Sequence, residues 1–211
     1  MSARLENESS WLLHDILPDV LSDVSLELKD LQIRLPNYHR DSQIKACISE
    51  NNPYHLEQAR NCQNYTQLAI DLIDSHPGTT SICSVSNFLE DILTYVKQAQ
   101  MAFNSPSEAK SFPYRVCQPK HFTPPLPEDL VVEISIDHIH VLCNVYALEL
   151  HQHQKSDKYI PYKDKFATVL DECRVRTQSP LLTDIAASLT KAADICSEFQ
   201  LKLIQISAIQ E

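Results

Sequence analysis

The sequence predicts an α+β fold, mostly α: an antiparallel four-helix bundle from the N- and C-terminal segments, with a small inserted β domain. Three observations predict it. Four stretches carry apolar residues at alternating steps of three and four, the heptad spacing that lines one side of a helix. Between 105 and 162 that period is lost, and seven of the twelve prolines gather there. Within that region Val132, Ile134 and Ile136 alternate with Glu133, Ser135 and Asp137, which predicts a strand with one buried face. The expected division is therefore 1–104 and 179–211 for the bundle and 105–178 for the β domain, to which 37–52 adds a candidate edge strand.

The first seam is Leu17, Leu21, Val24, Leu28, Leu31 and Leu35. A hydroxyl at Ser9 or Ser10 can cap this helix, with Asp15 near its positive end. Pro18 removes a hydrogen bond to His14 and bends the first turns, and Pro36 ends the helix. Residues 37–53 are polar and aperiodic except for QIKACI at 43–48. A second helix is expected from about Pro53 to Ser75 on Leu56, Ala59, Cys62, Tyr65 or Thr66, Ala69 and Leu72 or Ile73, stopped by His76-Pro77-Gly78. The third has the cleanest pattern, Ile82, Val85, Leu89, Ile92, Val96, Ala99 and Phe103, and the short link makes it an antiparallel neighbour of the second.

Residues 111–127 read as extended chain. The strand from Val132 turns near Asp137-His138 into a second strand through Val141, Cys143 and Val145, although no glycine serves the turn and a helix over 141–150 stays open. HQHQKSDK, 151–158, is read as a solvated loop. FATVLDECRVRT, 166–177, fits either a helix or a strand and leans to strand near Cys173 and Val175. Ser179-Pro180 is a strong helix start, and the last seam runs Leu182, Ile185, Leu189, Ala192, Cys196, Phe199, Leu203 and Ile206. The first seam keeps heptad register for under three repeats beside three others, which favours an intramolecular bundle over a zipper dimer.

Composition excludes several functions. A single glycine, Gly78, leaves no Walker loop, dinucleotide fingerprint or nucleophile elbow. It also predicts that the chain is the ordered part of a longer protein. A formal charge of -10 without a basic run argues against nucleic acid or anionic lipid as partner. No apolar stretch is long enough to span a membrane and MSARLENESS is polar, so a soluble, intracellular protein without membrane insertion is expected. The seven cysteines form no CxxC pair, and several fall on apolar seams, as reduced core cysteines do.

His138/His140 and His151/His153 are the only metal-like spacings, and nothing supplies the remaining ligands, so solvated histidines are the better reading. Carboxylates occur as adjacent pairs that do not face each other on a helix. No catalytic, metal or cofactor residues are assigned and an enzyme is not expected. Trp11 serves either to staple its helix to the bundle or to anchor a partner.

Four blocks in order, SSWLLHDIL at 9–17, EQARN at 57–61, PPLPEDLVVEISIDHIHVLCNVYALEL at 124–150 and SPLLTDIAASL at 179–189, resemble the Rogdi family. The resemblance departs at the short segment between Leu35 and His55 and at Pro18. It implies a helical bundle with an inserted β domain and a non-catalytic role as small subunit of the RAVE complex, which promotes reassembly of the vacuolar proton-pumping V-type ATPase. The implied partners are a large β-propeller subunit of the DmX-like kind, a small SCF-type adaptor and the peripheral sector of the ATPase. The implied location is cytoplasmic, with peripheral recruitment to vacuolar and endosomal membranes. The partner-binding residues expected are Trp11, Leu12, Glu133, Ser135, Asp137, His138, His140 and Asn144. The alternatives are a generic helical-bundle adaptor or scaffold, as in vesicle tethering, and more distantly a metal-dependent enzyme.

Overall fold

The computed structural model describes residues 22–23, 49, 52, 54–76, 78, 81–104, 106, 111–123, 125–153 and 159–210. Among them are helices α1 (Glu57–Asp74) and α2 (Ile82–Met101), strands β1 (Leu130–Asp137), β2 (His140–His151), β3 (Ile160–Tyr162) and β4 (Lys165–Gln178), and helix α3 (Pro180–Gln210). The expectation of an antiparallel four-helix bundle is overturned: the described residues hold three helices and a four-stranded antiparallel sheet. A heptad seam shows that a helix has an apolar side, not how many helices share the core it faces. Every residue of the first seam lies outside the described residues; of its stretch, 17–35, only Ser22 and Asp23 are described, both helical. Only Ser49 and Asn52 are described of the candidate edge strand at 37–52. The sheet is also larger than an insert built on one hairpin, because 165–178 is a single long strand.

Two compact units divide the described chain. Ala59–Ala102 and the chain from Thr183 onward form one; Phe103–Leu182 and the residues leading up to Gln58 form the other. In the helical unit the expected seams are the core. Val85, Leu89 and Ile92 of α2 and Ile185, Leu189, Phe199 and Leu203 of α3 are nearly or wholly sealed from solvent. Gln200 Nε2 donates to the Ser86 carbonyl and Gln100 Nε2 to Thr190 Oγ1, each at 3.5 Å, so α2 and α3 run antiparallel. After α1, His76 N donates to the Ile73 carbonyl, and Gly78 takes the left-handed φ of 69° that a side chain disfavours. At the start of α3 the Ser179 hydroxyl accepts from Leu182 N, with Pro180 in the first position.

The sheet order is β1-β2-β4-β3, antiparallel throughout. The β1–β2 hairpin turns on two residues, His138 and Ile139, with His138 at φ 55° in place of glycine. Histidine enters this region more readily than most residues. Two outside groups hold the turn: His138 N donates to the Phe103 carbonyl at 2.6 Å, and Ser179 N to the Ile139 carbonyl at 2.9 Å. Between β2 and β4 the register shifts, pairing Ala147 with Asp171 but Leu148 with Val169. Leu170 is the extra residue of this bulge and is 64% exposed.

β1 was expected to bury one face, yet every residue from Val131 to Ile136 is buried. Val132, Ile134 and Ile136 fill one side. On the other, Val131 joins Tyr146, Leu148, Tyr162 and Ala167 in an apolar cluster flanked by Phe112 and Val169. The outer backbone edge of β1 is also occupied. Gln58 Nε2 donates to the Ile136 carbonyl at 2.8 Å, and Gln58 Oε1 accepts from Ile136 N at 2.7 Å. Further along, Cys117 N donates to the Val132 carbonyl at 2.8 Å.

Core leucines and exposed ones should separate in denaturant. Leu189→Ala removes a fully buried side chain and is expected to cost about 2–5 kcal/mol in urea unfolding. Leu201→Ala, at an exposed position of the same helix, should stay within about 0.5 kcal/mol. Burial pushes the thiols of Cys62, Cys117 and Cys196 up to about 12 from an ordinary 9.0. The folded state thus keeps protons that the unfolded chain releases, and stability falls as pH rises through that interval. The unfolding midpoint is expected to drop between pH 9 and 12, and a Cys62→Ala, Cys196→Ala double variant should flatten that drop.

Candidate functional site

The β1–β2 hairpin brings six of the expected partner-binding residues together. Glu133 lies opposite Asn144 and Asp137 opposite His140, while Ser135 faces Leu142. These pairs share one face of the sheet, because directly opposed residues in an antiparallel ladder point the same way. Their rows continue onto β4, where Arg174 lies opposite Asn144, Arg176 opposite Leu142 and Gln178 opposite His140. Trp11 and Leu12 lie outside the described residues. Sequence reasoning missed Arg174 and Arg176 because 166–177 was open between helix and strand. The usable signal was the alternation of Glu172, Arg174 and Arg176 with Cys173, Val175 and Thr177.

Burial sorts these residues into two groups. Glu133 is 5% exposed, and Ser135 is buried beside it in the strand. Glu133 Oε1 accepts from Phe112 N at 3.3 Å, and Oε2 accepts from Asn144 Nδ2 at 3.1 Å and the Tyr146 hydroxyl at 3.2 Å. Burial, reinforced by the Glu133 carboxylate, pushes the Tyr146 hydroxyl up to about 12, so it keeps its proton and donates. The Tyr146 ring is stacked on Phe112 with centroids 4.3 Å apart. A buried carboxylate held by three donors of its own fold is a structural fixture. Glu133 and Asn144 tie 112, 133, 144 and 146 together inside the sheet.

The second group surrounds the turn and is accessible. Arg176 Nη2 lies 3.1 Å from Asp137 Oδ2 and 3.1 Å from His140 Nδ1, and His138 Nε2 is 3.9 Å from Asp137 Oδ1. The side chains of Arg176 and His138 are 56% and 69% exposed. Two residues away on the same face, Arg174 Nε pairs with Glu172. The charged end of the sheet therefore presents guanidinium groups and imidazoles to solvent, an arrangement suited to contacting a partner's carboxylates.

The histidine pairs do not converge. His138 sits in the turn and His140 in β2, so they are not strand residues on one face. His151 stacks on Tyr159 with centroids 4.6 Å apart, and its Nε2 is 3.3 Å from Thr168 Oγ1. Among the described residues no three His, Cys, Asp or Glu side chains gather to hold a metal ion, and no helix is long and apolar enough to cross a membrane.

Residues 28–174 match the family model described as Rogdi leucine zipper containing protein. No curated protein matches the chain.

Glu133 gives this arrangement a direct test. Glu133→Ala strands the donors of Phe112, Asn144 and Tyr146 and is expected to cost about 2–3 kcal/mol in urea unfolding. Tyr146→Phe removes one donor and leaves two, and should cost about 1 kcal/mol.

Proposed function

The chain belongs to the Rogdi leucine zipper family, and from that premise we propose that it works by protein contacts as the small, non-catalytic subunit of a RAVE-type complex. In this role it helps return the peripheral sector of the V-type ATPase to the membrane sector. Its partners are a large β-propeller subunit of the DmX-like kind, a small SCF-type adaptor and the peripheral ATPase sector. It works in the cytoplasm and is drawn to vacuolar and endosomal membranes through those partners. The single observation that carries the proposal is the family match across 28–174, flanked by the SSWLLHDIL and SPLLTDIAASL blocks at its two ends.

The physical features agree with a contact role. A formal charge of -10 keeps the chain from anionic lipid and nucleic acid, which leaves protein surfaces as the natural partners. Paired arginines on an exposed sheet margin and the scarcity of glycine suit a rigid docking element more than a loop-built active site.

Affinity capture with the large propeller subunit is expected to retain the full chain, and deletion of its gene should slow reacidification of vacuoles after the ATPase sectors have been separated. Normal reacidification in the deletion strain would overturn the proposal. Self-association seen by light scattering without any partner would favour the generic adaptor instead.

A further inference from the structure

The two edges of the sheet are treated in opposite ways. β1 has its outer edge filled by Gln58 at Ile136 and by Cys117 at Val132. On its outer side, away from β2, β4 has among the described strands only the three-residue β3, pairing with Lys165, Phe166 and Ala167. From Thr168 to Gln178 the outer side of β4 meets no strand among the described residues, and Asp171 through Gln178 are all exposed. An open edge of that length is a ready template for another strand, and folds ordinarily cover or blunt it.

The ladder fixes which backbone groups face outward. Ile136 turns its N–H and C=O toward Gln58, away from β2. In an antiparallel sheet the residue across from it, Val141, then points its polar groups toward β4 and bonds with Thr177. Stepping back in twos, Val175 and Cys173 also face β2, whereas Arg176, Arg174 and Glu172 turn their amides and carbonyls to the open side.

The side chains beside that edge have a definite character. On one face lie Cys173, exposed, and Val175, 52% exposed. On the other lie Glu172, Arg174 and Arg176. Arg174 pairs with Glu172 and Arg176 with Asp137, and both guanidinium side chains stay largely exposed, at 70% and 56%. Two of the seven arginines in a chain of formal charge -10 thus stand side by side on this edge. Elsewhere the net charge of -10 repels an acidic segment, whereas here it meets two exposed guanidinium groups, each able to exchange or share its present carboxylate partner. A second copy would bring another charge of -10 against the first, which disfavours self-pairing.

We propose that the outer edge of β4 from Glu172 to Arg176 is the docking edge for an extended, acidic segment of a partner protein. The segment adds as a fifth strand, with carboxylates beside Arg174 and Arg176 and apolar side chains beside Cys173 and Val175. Main-chain hydrogen bonds to Glu172, Arg174 and Arg176 supply the attachment, and the alternating side chains supply the selection. This rests on the protein-contact reading above but not on which complex the partner belongs to.

The test uses the full chain and a capped synthetic peptide of alternating glutamate and valine, with a lysine-valine peptide as control. Backbone amide NMR is expected to show shifts at Glu172, Arg174 and Arg176 with the glutamate peptide only. An Arg174→Glu, Arg176→Glu variant should weaken that binding by roughly tenfold or more and gain binding of the lysine peptide. Arg174→Pro removes one outward N–H without touching a bond to β2 and should weaken both peptides. The charge-reversed variant keeps the backbone intact and carries the test if the proline variant unfolds. Absence of amide shifts, unchanged affinity in the charge-reversed variant, or a dimer that Arg174→Pro dissolves would each overturn the proposal. If capture by the propeller subunit persists while peptide binding fails, this edge is wrong and the RAVE-type reading stands.

Discussion

The sheet depends on how the free edge of β1 is closed. An edge strand presents a row of unanswered amides and carbonyls, and a buried row costs about 1–3 kcal/mol for each group left unpaired. β1 is buried on both faces, so water cannot answer for it. Gln58 does, offering one amide as donor and acceptor to the same residue, as a neighbouring strand would. Because Gln58 sits in the first turn of α1, the register of that helix start is set by the sheet edge it completes. The nearby pairing of Glu57 with Arg115 adds a second tie between the helix start and the segment that brings Cys117 to Val132.

The same demand for satisfaction explains Glu133. A carboxylate at the centre of a doubly covered strand survives only if donors come to it, and they arrive from Phe112, Asn144 and Tyr146. Its neighbours across the sheet are placed by hairpin register, and Phe112 by the segment before β1. Removing water from one face of a strand therefore converts a residue that looks like a surface contact into an internal joint. Four residues further on, Asp137 keeps its contact with the exposed Arg176 and so stays at the margin.

Helices were the most legible part of the sequence, because α1, α2 and α3 carry long runs of one period and most of their buried residues, Ile70 and Leu93 apart, are those of the seams. The bundle was not legible, since a seam states that a side is apolar but not what covers it. The hairpin was legible from the alternation of Val132, Ile134 and Ile136, yet its turn was hidden because His138 takes a conformation usually signalled by glycine. β4 was obscured by Leu170: an extra residue reverses the parity of the strand, so the alternation before it cannot be added to the alternation after it. Burial of Glu133 could not be read from its own neighbours, because the donors that make it tolerable lie 11 to 21 residues away.

These features move the expected partner surface along the sheet without leaving it. Expectation centred on β1 and the turn, where polar residues alternate with apolar ones, but alternation alone cannot tell a solvated polar face from a satisfied one. Hydrogen-bond capacity can. Glu133 has three donors and Ile136 has Gln58, so neither has much left to offer a partner. The Arg174 side chain is 70% exposed beside its pairing with Glu172, and its backbone amide faces an edge that no described strand occupies. Where β1 has its backbone edge answered by Gln58 and Cys117, the unanswered backbone groups of β4 among the described residues are the physical ground for placing contact there rather than on β1.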